Sequence, residues 1–231
     1  MYKNNSILAV IPARGGSKRL PNKNTLELVG KPMIAWTIEA ALKSRYIDKV
    51  IVSSDSDEIR EKSISFGADT MRRPHDLATD TSSTFDVLKD AIENTDETYN
   101  CVMLLQPTSP LRNNKHIDES IESFFKKNAD AIISVCEAEH SPLWSNTLGE
   151  SLSMTHFLPS HALNKRSQDL ETFYRLNGAI YLYKVSKLLE QKSLFLDKNI
   201  YAYKMDTESS IDIDKVIDFK IAELLLNKPL N

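Results

Sequence analysis

Short apolar runs alternate with amphipathic stretches along most of the chain, the pattern of strands joined by crossover helices. Residues 6–11 are apolar on both faces, as in a strand covered by helices on either side, and Pro12 ends the run. A helix is expected to open at Gly30-Lys31-Pro32 and run to about Ser44, with Ile34, Ile38, Ala41 and Leu42 on one face. Residues 49–53 form the next strand. Asp55 then stands three residues before Glu58, so it reads as the cap of a helix ending at Gly67 rather than as a catalyst. A weak strand at 68–72 precedes a helix with Val87, Leu88, Ala91 and Ile92 on its apolar face. Residues 100–105 are the most uniformly apolar and are therefore the expected central strand. A helix over 115–127, turning Ile117, Ile121, Phe124 and Phe125 to one side, leads to a strand at 131–136. Further strands follow at 177–183 and 201–205. A last helix carries Ile217, Ile221, Leu224 and Leu225 on one face and stops near Asn227-Lys228-Pro229.

The alternation fails between 137 and 170, a polar, proline-interrupted stretch with scattered anchors at Leu143, Trp144, Met154, Phe157, Leu158 and Leu163. A stretch this long without periodicity inside a compact domain is usually functional or an interface. A chain of 231 residues suits a single α/β domain over 1–231. With 41% hydrophobic and 26% charged residues it is globular, and no apolar run is long enough to cross a bilayer, so no membrane partner is expected. The N-terminal MYKNNS lacks a basic segment followed by an apolar core, and the expected compartment is the cytoplasm. A net charge of −3 argues against nucleic acid as a partner. Cys101 and Cys136 lie in apolar runs without metal-ligand spacing and read as reduced core residues. His140, His156 and His161 likewise lack ligand spacing and read as surface residues.

Candidate chemistry concentrates at two ends of the chain. In LAVIPARGGSKRLPNKN (residues 8–24) an apolar strand stops in a loop where Gly15 and Gly16 free the backbone. Arg14, Lys18, Arg19 and Lys23 gather cations beside the strand's carboxyl end, where open α/β sheets bind ligands. An anion with several oxygens fits, a triphosphate above all. The loop is neither a Walker-type phosphate loop nor a G-x-G-x-x-G turn. Near the other end, Ser209-Ser210-Ile211-Asp212-Ile213-Asp214 in extended backbone aims two carboxylates at one spot and sets Ile211 and Ile213 behind them. Paired hard oxygen donors suit a magnesium ion that completes its shell with water and phosphate; alternatively either aspartate caps the last helix. Between these ends, Arg73 to Thr84 is a hydroxyl- and carboxylate-rich capped loop, and Gln106 to Arg112 is a rim stiffened by Pro107 and Pro110.

The string A-R-G-G-S-K-R-L-P-N-K-N resembles the nucleotide-binding signature of the sugar-acid cytidylyltransferases, in particular the N-acylneuraminate cytidylyltransferases. The 73–84 run, L-L-Q-P-T-S-P-L-R, N-G-A-I-Y and S-S-I-D-I-D resemble that family's further signatures, in the same order. The resemblance implies a three-layer α/β/α nucleotide-binding fold with a mostly parallel mixed sheet. It also implies that 137–170 is a dimerisation insertion, and hence a homodimer. The reaction implied joins CTP to a nine-carbon sugar acid, giving the CMP-sugar and pyrophosphate, with Mg2+ held by Asp212 and Asp214. N-acetylneuraminate is the first choice of acid, with legionaminate and 3-deoxy-manno-octulosonate as alternatives. Carried over by residue, Arg14, Lys18 and Lys23 supply catalytic charge, and Ala13, Arg14, Gly15, Gly16, Ser17, Lys23, Asn24, Arg73, Ser83 and Thr84 surround the nucleotide. Gln106, Lys165, Arg166, Tyr181 and Phe195 face the acid, with the basic pair reaching the partner's site; by pattern alone Tyr181 is equally a packed core aromatic. Two departures stand out: Arg19 replaces the glycine of many relatives, and Leu194 replaces the first of two adjacent aromatics. From a different class, a non-catalytic nucleotide sensor would keep the first loop and lose the acidic pair, which this chain retains.

Overall fold

The computed structural model describes residues 1–227. In chain order it runs β1 (Ile7–Pro12), β2 (Glu27–Leu28), β3 (Lys31–Pro32), α1 (Met33–Leu42), β4 (Lys49–Ser54), α2 (Asp57–Ser65), β5 (Asp69–Arg72), α3 (Thr84–Glu93) and β6 (Cys101–Leu104). Then come α4 (Asn114–Lys126), β7 (Ala131–Glu137), β8 (Tyr174–Lys184), α5 (Val185–Gln191), β9 (Ile200–Lys204) and α6 (Val216–Leu226). Seven strands form one sheet in the order β5-β4-β1-β6-β8-β7-β9, with β6 at its middle. All are parallel except β8, which runs against both neighbours. This is the expected three-layer, mostly parallel mixed sheet.

Alternation along the strands builds the layers. Ile7, Ala9 and Ile11 of β1 face one side with Ile34 and Ile38 of α1, Ile59 of α2, and Ile117, Ile121 and Phe124 of α4. Leu8 and Val10 face the other, against Leu88 and Ala91 of α3 and Leu188 of α5. A third cluster lies off the sheet: Leu20 and Leu28 pack with Met33, Ile213 and Ala222, flanked by Leu26, Trp36, Ile211 and Phe219. It joins the segment after β1 to the segment before α6.

Local chemistry corrects several expectations. Helix α1 starts three residues late, because Leu28-Val29-Gly30-Lys31 makes a tight hairpin with Val29 at φ 50° and Gly30 at φ 79°, a conformation glycine tolerates. Leu42 is exposed, leaving Ile34, Ile38 and Ala41 inward. The cap of α2 is Ser56, whose hydroxyl accepts the Ile59 N–H, and not Asp55. Met154 and Leu163 are exposed rather than anchors within the chain; between them the segment is held at Ala162. Helix α6 carries apolar residues on two faces, and the two stripes compete. The structure buries Ala222, with Phe219 and Leu226 beside it, against the third cluster and turns Ile217, Ile221 and Leu224 to solvent. Both stripes have helical spacing, so periodicity could not choose between them. The expected stop at Lys228-Pro229 lies outside the described residues. Both cysteines are free and buried, and no described helix is long and apolar enough to cross a membrane.

Two expectations follow. Ile213→Ala should lower the unfolding free energy by about 2–4 kcal/mol, as other buried isoleucine truncations do, whereas Leu224→Ala should change it by less than about 0.5 kcal/mol. Equal losses in urea titrations would restore the opposite face of α6. His116 caps α4 by accepting the Asn113 N–H on Nδ1, and burial pushes its imidazole below the ordinary value, with Asp206 pulling the other way. A folded state that disfavours the cation loses stability as pH falls through the ordinary histidine value, between about pH 7 and pH 5. His116→Gln, which keeps a capping partner, should flatten that slope in pH-dependent urea midpoints; an unchanged slope would assign the loss to other groups.

Candidate active site

The loop leaving β1 is tied down before it reaches the cleft. Ala13 continues the sheet, donating its N–H to the Ser53 carbonyl at 3.0 Å, and is buried. The Gly15 N–H donates to Asp55 Oδ1 at 2.9 Å, and a Cβ on Gly15 would stand 3.1 Å from Ser56 Cβ. A side chain at Gly15 would crowd the start of α2, and Asp55 anchors the loop. The Gly15 N–H is spent on this carboxylate, which removes it from the exposed donors expected for an anion. Asn24 donates from Nδ2 to the Arg14 carbonyl at 3.1 Å, and its buried Oδ1 has no partner among the described residues.

Beyond these anchors lies a cleft of about 480 Å³ at the carboxyl ends of β1, β5 and β6. Of the residues singled out in the sequence, Arg14, Ser17, Lys18, Arg19, Lys23, Asn24, Arg73, Thr84, Gln106 and Asp214 line it, whereas Asp212 stands outside the lining. Its charges are paired across segments. Asp80, on the loop before α3, meets Arg14 at 2.7 Å and also bonds Lys18, and these two, Lys18 first, hold its carboxyl below the usual range. Lys23 donates to the Ile213 carbonyl at 2.7 Å and to Asp214 Oδ1 at 3.1 Å, while Arg19 donates to Asp214 Oδ2 at 2.6 Å. Arg73 is buried, donating to Ser53 Oγ at 3.1 Å and to the Ser53 carbonyl at 2.6 Å. Burial lowers its pKa, with the charges of Asp55 and Asp90 opposing that.

The acidic segment is extended, with Ile213 fully buried behind it and its N–H on the Thr108 carbonyl at 2.9 Å. Neither Asp212 nor Asp214 caps α6; Asp218 does so, accepting the N–H groups of Asp214 and Lys215 at 3.0 and 2.7 Å. Asp212 keeps an open side to solvent, yet the atoms packed around it push its carboxyl up; Thr108 opposes this and the charge of Asp214 adds to it. Desolvation also pushes Asp214 up, but Lys23 and then Arg19 outweigh it and hold this carboxyl below the usual range. Paired carboxylates are the hard oxygen donors that magnesium takes, but both Asp214 oxygens here accept from Lys23 and Arg19, so a cation would have to share or displace those contacts.

Behind the cleft, two buried residues hold its parts in register. Asn177 accepts from Ser134 Oγ at 2.6 Å and donates to Ser210 Oγ at 2.9 Å, tying β8 to β7 and to the residue before the acidic segment. Arg112 is fully buried and donates to the carbonyls of Gln106 and Ala179, each at 3.2 Å, and to Thr37 Oγ1 at 2.8 Å; burial lowers its pKa to about 9. Gly178, at φ 75°, leaves room for the Gln106 side chain, since a Cβ there would lie 2.7 Å from Gln106 Oε1.

Other expected positions stand apart from the cleft lining. Ser83 caps α3, accepting the Asp86 N–H at 3.1 Å. Gly16 has no neighbour that a Cβ would meet. Tyr181 is buried in the core on the α3 side, Phe195 is 54% exposed, and Lys165 and Arg166 are exposed on the 137–170 segment. Sequence reasoning overlooked Asp80 as a charge partner and Asn177 and Arg112 as supports. A lone carboxylate in a hydroxyl-rich loop and an arginine ending a proline turn carry no periodic signal.

Residues 8–228 match the cytidylyltransferase family model. The chain is 38% identical over 223 residues to the N-acylneuraminate cytidylyltransferase of Escherichia coli, covering 96% of this chain and 52% of that protein. It thus spans about half the length of the N-acylneuraminate cytidylyltransferases it matches. It is 36% identical over 230 residues to the CMP-N,N'-diacetyllegionaminic acid synthase of Legionella pneumophila, covering 95% of this chain and 96% of that one. The solved structure of CMP:2-keto-3-deoxy-manno-octonic acid synthetase complexed with CTP shares the fold, with a TM-score of 0.73 at 19% identity over 96% of this chain and 98% of that one. On the family match and on its relatives, the chain belongs to the cytidylyltransferase family.

Proposed function

We propose that this protein is a cytidylyltransferase that activates a nine-carbon, sialic-type acid with CTP, releasing pyrophosphate. The observation that carries the reading is the convergence of Arg14, Lys18, Lys23 and Arg73 with Asp214 on one cleft. N-acetylneuraminate is the first candidate, in line with the Escherichia coli relative. A diacetylated legionaminic acid is the second, in line with the Legionella pneumophila relative.

In this reading the hydroxyl on the sugar's anomeric carbon attacks the α-phosphorus in line, its proton passing to solvent as the new P–O bond forms, and pyrophosphate leaves with the electron pair of the broken bond. Catalysis is mainly placement and neutralisation of charge. Arg14, Lys18 and Lys23 offset the charge that builds on the departing pyrophosphate. Arg73, fixed on Ser53, adds a preorganised cation, and the buried Asn24 Oδ1 offers an acceptor to the nucleotide. Gln106, held on the rim by Arg112 and Gly178, positions the acid. Asp212 and Asp214 are the residues that would hold magnesium, whose chemistry is to lower the hydroxyl's pKa and neutralise the α-phosphate. The 137–170 segment, with Leu148, Leu152, Met154 and Leu163 exposed, serves as the dimer contact and brings Lys165 and Arg166 to the partner's site. The protein acts in the cytoplasm.

Incubation with CTP, magnesium and a panel of N-acetylneuraminate, diacetyllegionaminate and 3-deoxy-manno-octulosonate should release pyrophosphate with one of the first two at the highest kcat/KM. No pyrophosphate with any acid would remove the proposal. Lys23→Met should lower kcat about a hundred- to a thousandfold without shifting the far-ultraviolet circular dichroism; near-normal turnover would show that Lys23 serves only to hold Asp214.

A further inference from the structure

Asp80 has no part in the chemistry just described, yet it occupies the centre of the cationic loop's charge. Its carboxylate takes Arg14 at 2.7 Å and Lys18 as partners, and no other among the described residues. It stands on the loop between the short 3-10 helix His75–Leu77 and α3, held by hydroxyls: Ser82 Oγ donates to the Asp76 carbonyl at 2.9 Å and lies 2.8 Å from Thr79 Oγ1. The Asp80 side chain is 44% exposed, so water can replace the protein on its open side as it moves.

We propose that Asp80 is a resident counter-anion that competes with polyphosphate for Arg14 and Lys18, and thereby sets how tightly the cleft holds CTP and pyrophosphate. The inference rests on the phosphate-binding role given above to these two cations. Two cations on one short loop repel each other, and a carboxylate from a neighbouring segment relieves that repulsion at little cost while the ion pairs remain exposed. A triphosphate brings more charge and displaces it. Each binding event therefore carries the cost of breaking two exposed pairs, which weakens affinity for substrate and leaving group alike and favours pyrophosphate departure, a step that often limits turnover. Removing a cleft carboxylate should then strengthen ligand binding, the opposite of what loss of a ligand-binding residue does.

The test titrates CTP and, separately, inorganic pyrophosphate into wild type, Asp80→Asn, Arg14→Met and Lys18→Met by calorimetry, at fixed magnesium and without acid substrate. Asp80→Asn should tighten both ligands about three- to tenfold, the scale of one or two exposed ion pairs, while both cation variants weaken them. If the cation variants weaken binding but Asp80→Asn leaves it unchanged or weaker, the counter-anion role is overturned and the phosphate reading stands. If neither cation variant alters binding, both are overturned.

Discussion

The architecture depends on one contact between distant parts of the chain: the Lys23 ammonium reaches the Ile213 carbonyl at 2.7 Å and Asp214 at 3.1 Å. Alone, such a polar contact would be worth little, because water competes for both partners. It is held because apolar side chains beneath it, Leu20 and Leu28 from one segment, Met33 from α1 and Ile213 and Ala222 from the other, exclude water and fix the separation. The sheet supplies the floor, but this small cluster off the sheet turns two loops into opposite walls. Packing therefore sets the distance, and charge uses it.

Within that frame the cleft is balanced rather than simply basic. Arg14 and Lys18 meet Asp80, Arg19 and Lys23 meet Asp214, and Arg73 is steadied by the Ser53 hydroxyl and carbonyl with Asp55 and Asp90 at longer range. A concave surface carrying so many cations with no local anions would repel itself and resist folding. The pairs let the fold form with its cations already in place, and an arriving anion takes over partners that a resident carboxylate holds until then.

Much of this was legible in the sequence, for physical reasons. The order of strands and helices follows from buried runs with the right period. The cleft's cations follow from a glycine-rich turn at a strand's carboxyl end, and the inward Ile213 follows from alternation in S-I-D-I-D. What escaped was decided by neighbours that the sequence does not reveal. Asp55 had a cap's spacing, but Ser56 took the cap and left Asp55 for Gly15. The outward face of α6 shared its period with the inward one. Asp80 acquired its partners only when the segment before α3 folded over the first loop. Asn177 and Arg112 work through carbonyls and hydroxyls of other elements, contacts set by tertiary packing and not by local pattern.

The reversal of β8 has a topological effect. Because β7 finishes at Glu137 on the same edge of the sheet where β8 begins, with Glu137 paired to Tyr174, the whole excursion of residues 138–173 departs from and returns to the ligand-facing rim. Had β8 run with its neighbours, the chain would have had to cross to the far edge first, and the excursion would not lie wholly at the carboxyl-end rim. A single inverted strand thus gives the rim its longest overhang, and the same strand carries Gly178, whose missing side chain leaves the Gln106 amide its place.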